Sequence, residues 1–204
     1  MSLAEFEVHR GKNISRGFIS VIERLNSSPK IKRVFNIATE PSKDELQLLM
    51  DRCDKEVGIN RMPKVNQWLL IEGEDNAVDV SDRVDFLSDI STHSHPDEPF
   101  ALPSPGDLFT INPRGKNLIV GCEGLTGFTK IQKNPLFGLP WKPRSVVEIE
   151  AMFYLAFPTQ ITTKISEIED EIMKKFYRKT GVKIVTLPWN KLPDYPLSAF
   201  PLNT

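Results

Sequence analysis

Two imidazoles two residues apart, with a carboxylate a short loop further on, are the groups of this chain best suited to chemistry. They stand in Thr92-His93-Ser94-His95-Pro96, followed by Ser104-Pro105-Gly106-Asp107. In a β-strand alternate side chains share a face, so His93 and His95 can converge on one ion. Pro96 cannot donate to a ladder and turns the chain away. The eight residues from Pro96 to Pro103 are then enough loop to bring Asp107 back to the same place. Two histidines and one aspartate fill three positions of a catalytic-type zinc site and leave the fourth for a water, which the ion acidifies towards neutral pH. Two of the three histidines in the chain fall in this triplet, and no role is assigned to the third, His9. Ser104, Pro105 and Asp107 also read as a helix start, with Ser at the N-cap, Pro at the first position and an acid at the third. A rigid cap of that kind is compatible with ligation, because it would hold Asp107 in place.

The elements that must position these groups follow from periodicity. Asp89 to His93 is expected to be a strand running into the site, and Asp107 to Ile111 the continuation of a short helix. Upstream, Phe18, Val21, Ile22 and Leu25 recur at helical spacing within a helix over 14–27. A second helix should start at Ser42, where Glu45 completes a capping box, and stop near Gly58. Strands are expected over 34–39, 68–71 and 77–80, and a hairpin should pair Leu118–Val120 with Phe128–Ile131. Further on, 146–157 and 161–179 read as helices and 182–187 as a last strand. Pro188, Pro193, Pro196 and Pro201 predict an extended, mobile tail.

Composition sets the class. The chain has 204 residues, 40% apolar and 26% charged, which suits a soluble globular domain of ordinary size. Lys and Arg total 26 against 27 acids, so a broad cationic surface for nucleic acid is disfavoured. No run approaches the ~20 apolar residues of a membrane span, and the first ten residues lack the apolar segment of a signal peptide. A cytoplasmic location is the expectation, with Cys53 and Cys122 as thiols rather than a disulfide. Seven acids against Arg83 alone crowd residues 72–89, which reads as a solvated surface or as an approach for a cation or basic peptide.

The stretch from 92 to 107 resembles the JAMM (MPN+, or JAB) metalloprotease motif: an upstream Glu, then His-Ser/Thr-His, seven residues opening with Pro, and Ser-x-x-Asp. The resemblance implies an α/β (or α+β) fold with an MPN/JAB-like mixed sheet flanked by helices over 14–133. Residues 134–204 would be a C-terminal extension with helical character, packed on that domain and ending in the Pro-rich tail. It also implies Zn2+ on His93, His95 and Asp107, with Ser104 helping to stabilise the oxyanion. The implied activity is peptide or isopeptide hydrolysis of a protein substrate such as a ubiquitin-like modifier. Two departures stand out: the loop has eight residues rather than seven, and Lys30-Ile31-Lys32-Arg33 occupies the place after the first helix where the upstream Glu is expected. If strands 34–39 and 68–71 are antiparallel, Glu72 falls at that address and is the candidate general base. Glu40 would lie at the opposite edge, and Glu56 at the exposed end of the second helix. Two rival readings remain open: a catalytically degenerate domain serving as a metal-binding or interaction scaffold, and an unrelated metal-dependent phosphoester hydrolase.

Overall fold

The computed structural model describes residues 13–27, 33–73, 88–96, 98–99, 102–103, 107, 115–130 and 182–202. Expectations for 77–80, for the helices at 146–157 and 161–179, for Ser104 and for most of the acidic run fall outside them.

Two helices lead into a mixed sheet. Helix α1 (Arg16–Asn26) buries Phe18, Val21, Ile22 and Leu25 on one face, as the spacing predicts. Helix α2 (Lys43–Arg52) begins with the capping box of Ser42 and Glu45. The Glu45 carboxylate also accepts from the Ser15 backbone N–H at 2.8 Å and the Ser15 hydroxyl at 2.6 Å, so one buried side chain fastens the starts of both helices. Among the described residues the strands are β1 (Val34–Ile37), β2 (Val57–Met62), β3 (Gln67–Glu72), β4 (Ile90–Ser94), β5 (Lys116–Val120), β6 (Gly124–Lys130) and β7 (Val182–Pro188). They lie in the order β1-β3-β2-β4-β5-β6-β7. Every pairing is antiparallel except β4 with β5. Strand β2 is not expected from the sequence: helix α2 stops at Arg52, capped through Cys53, and Gly58 lies inside the strand rather than ending the helix.

Register divides the sheet into two faces, because residues directly opposite each other project to the same side. Val57, Ile59, Trp68, Leu70, Ile90, Leu118, Val120 and Leu125 point to one side, where they form a single apolar cluster with the two helices. Ile71, Ile119 and Phe128 are equally buried but stand outside that cluster, since their register sends them to the other side.

The tail is neither extended away nor loose. Strand β7 pairs with β6 along Gly124–Lys130, and a 3-10 turn (Trp189–Lys191) and a short helix α3 (Pro196–Ala199) follow. Trp189, Leu192, Leu197, Phe200 and Leu202 are all buried in the apolar cluster. Gly127 lets Phe200 and Leu202 cross the strand, because a Cβ there would meet both side chains inside contact distance. Among the described residues no helix is long and apolar enough to cross a membrane. Cys53 is buried, which pushes its thiol up to about 12, whereas Cys122 is exposed.

Candidate metal centre

Strand β4 delivers both histidines to the face opposite the helices. His93 pairs with Gly58 of β2 and, in parallel register, with Ile119 of β5. His95 lies one residue beyond the strand and still extends the ladder, donating its N–H to the Val120 carbonyl at 2.9 Å. The serine between them points the other way, is fully buried, and accepts the Val57 N–H at 2.9 Å. That bond ties the end of β4 to the start of β2 and so fixes what stands beside His95.

The three predicted ligand residues come together. His93 Nε2 lies 3.1 Å from His95 Nε2 and 3.2 Å from Asp107 Oδ1, and one donor atom from each residue lies within 4.8 Å of the others. Two ligand atoms at ~2.0–2.1 Å from a tetrahedral zinc are roughly 3.3 Å apart, so the two shortest separations are already close to those of a ligand set. The side chains are 14 to 18% exposed, largely withdrawn from solvent. Two imidazole nitrogens and a carboxylate oxygen fit a borderline divalent ion.

Glu56 completes the cluster. It precedes β2, and its carbonyl accepts the Gly73 N–H at 3.0 Å, so it continues the ladder by one step. Extending the Gly58–His93 register by two residues sets Glu56 opposite His95 on the same face. Its Oε1 lies 3.7 Å from His95 Nε2. Burial raises the Glu56 pKa above the ordinary carboxylate value, against the opposing pull of His95 and His93. A second carboxylate, Glu98 Oε1, lies 3.4 Å from His95 Nδ1 on the far side of the ring.

Glu72, the base expected from sequence, is directed elsewhere. Strands β1 and β3 are antiparallel as supposed, with Val34 opposite Ile71. However, Glu72 pairs with Val57, one step out of phase with the Gly58–His93 pair, and therefore projects to the opposite side of the sheet. Its carboxylate takes Arg33 Nε at 2.9 Å and Lys55 Nζ at 2.6 Å. Burial alone would raise its pKa, but Arg33 and Lys55 outweigh that and lower it. Glu40 accepts the Ser198 N–H and serves the tail. Glu56 is hidden in the sequence because Gly58 reads as a helix stop and so places Glu56 at the end of the second helix, which in fact stops at Arg52. The signal was present in Glu56-Val57-Gly58-Ile59, an acid opening a short apolar run. Ser104 is outside the described residues. Compared with protein families, with curated proteins and with solved structures, the chain matches none.

Proposed function

We propose that this chain is a zinc-dependent amide or isopeptide hydrolase of the JAMM type, with Glu56 as its general base. The observation that carries this is the carboxylate of Glu56 at 3.7 Å from His95 Nε2, on the same sheet face as the triad and raised in pKa by burial. The JAMM resemblance gives the upstream Glu the opening of the strand after a helix, before a Gly-containing apolar run. Glu56 satisfies that description when the family's helix is matched to α2 rather than to α1.

His93 and His95 offer Nε2 and Asp107 offers Oδ1 to the ion. When bound, zinc supplies a Lewis acid that polarises a carbonyl and lowers the pKa of a water. Glu56 then takes a proton at Oε1 and passes it to the leaving nitrogen. A raised carboxylate pKa suits both halves of that exchange, since it strengthens the base and brings its conjugate acid nearer to working pH. Ser104 as an oxyanion donor, and a ubiquitin-like protein as substrate, rest on the resemblance.

The purified chain should hold one zinc, and His95→Ala and Asp107→Ala should lose it. Fluorogenic C-terminal amides of ubiquitin-like proteins are the substrates to try, with and without a chelator. Glu56→Gln should keep the zinc and lose at least ~100-fold in rate. Equal zinc content in the wild type and both ligand variants would refute the site. Bound zinc with no hydrolysis of any amide probe would favour the scaffold reading instead.

A further inference from the structure

The outer nitrogen of His95 has a partner that the proposed reaction does not use. While Nε2 faces His93 and Glu56, Nδ1 faces the carboxylate of Glu98 at 3.4 Å. Resting on the metal-site reading above, we propose that Glu98 is a positioning residue, which accepts the Nδ1–H of His95 and thereby keeps the Nε2 lone pair turned to the cluster.

The backbone sets Glu98 there from both sides. Its N–H donates to the His95 carbonyl at 3.2 Å, closing a tight turn, and its carbonyl accepts the Cys122 N–H at 2.8 Å. The next residue, Pro99, accepts the Glu123 N–H at 2.9 Å. Gly121 permits this close approach: a Cβ there would come to 2.7 Å from the Glu98 carbonyl oxygen and nearer still to that of Pro99. The β5–β6 turn thus straps down the loop that leaves the histidine pair, and the carboxylate needs only its own rotamers to reach the ring.

A neutral imidazole has one N–H and one lone pair, so the partner of one nitrogen decides the role of the other. Histidine free in water favours Nε2–H, the form that cannot ligate through Nε2. An acceptor at Nδ1 reverses that preference, and carboxylates in this position commonly govern metal affinity. The same logic reaches His93. Without a metal between them, an Nε2–Nε2 approach of 3.1 Å is a hydrogen bond only when one of the two nitrogens carries the proton. Glu98 assigns it to His93, whose Nε2 also lies 3.2 Å from Asp107 Oδ1. In chain freed of metal, the two histidines should therefore be opposite tautomers.

Long-range proton–nitrogen spectra of ring-labelled, chelator-treated full chain, at a pH where the imidazoles are neutral, test this directly. The wild type should show His95 as Nδ1–H and His93 as Nε2–H. Glu98→Gln retains an acceptor and should keep that pattern, whereas Glu98→Ala should move His95 towards Nε2–H without loss of fold. Competition with a chromophoric chelator should show zinc affinity falling about 10-fold in Glu98→Ala, the low end for such partners because Glu98 is half exposed. Glu98→Gln should recover most of that loss. Unchanged His95 tautomer in Glu98→Ala, with zinc still bound as tightly, overturns the role of Glu98 alone. A wild type that takes up no zinc overturns the metal reading beneath it, whatever the tautomers show.

Discussion

Replacing Glu72 with glutamine removes the anion that Arg33 and Lys55 share, and the consequence should be one of stability rather than activity. Glu72 is almost fully buried and its two partners are each about a quarter exposed, so solvent relieves part of the loss. The expected cost is about 1–3 kcal/mol, below that of breaking a fully buried pair. The pH dependence has a definite sign. A carboxyl whose folded pKa is lowered stabilises above its unfolded pKa, and this contribution disappears as pH falls through the lower folded value. Chemical denaturation of Glu72→Gln should therefore show a deficit at neutral pH that closes in acid, with hydrolysis retained. Loss of turnover at unchanged stability would return Glu72 to the role of base and displace Glu56. The contrast between these two acids shows how far residue types alone can lead. His93, His95 and Asp107 were legible because ligand chemistry restricts the residue types and a strand fixes the spacing of the pair. The proposed base was not, because an acid is common and only the register says which side of the sheet it faces.

At the scale of elements, Glu45 does more than complete a capping box. Ser42 and Glu45 are legible as a helix start, but nothing local shows that the same carboxylate also takes the N–H and hydroxyl of Ser15, 30 residues earlier. Glu45→Ala should loosen both helix starts together, leaving the buried Ser42 N–H and the part-buried Ser15 N–H unmatched, at about 2–4 kcal/mol. Hydrogen exchange at the first turns of α1 and α2 would report it, and protection lost only at α2 would contradict the shared anchor. Strand β2 escaped the sequence reading for a related reason. Gly58 reads as a helix stop because glycine commonly ends helices, yet here it lies opposite His93, where it adds no side chain to the face that carries the two histidines. The final strand was legible because its apolar run is bounded by turn residues, and so was the existence of the β5–β6 hairpin, but its register was not: Leu125–Gly127, rather than Phe128–Ile131, stand opposite Leu118–Val120, because β6 already begins at Gly124.

At the scale of the molecule, among the described residues α1, α2 and the tail share one side of the sheet while the candidate chemistry occupies the other. Four prolines suggested a loose end, but proline restricts backbone angles without deciding burial, and the apolar residues between them decide it here. Phe200→Ala should cost about 3–5 kcal/mol, as for a large aromatic taken from a packed core. A melting temperature unchanged in that variant would mean that the tail is dispensable. The same packing constrains how the protein can be made. The Ser198 N–H closes on Glu40, 158 residues before it, and Lys43 donates to the Asp194 carbonyl at 2.7 Å. At ~5–20 residues per second, the ribosome leaves roughly 8 to 30 s between synthesis of the first partners and synthesis of the last. During that interval the apolar cluster on this side of the sheet lacks Leu197, Phe200 and Leu202, so the nascent chain carries an incomplete apolar face, and the core closes only after residue 202 has emerged.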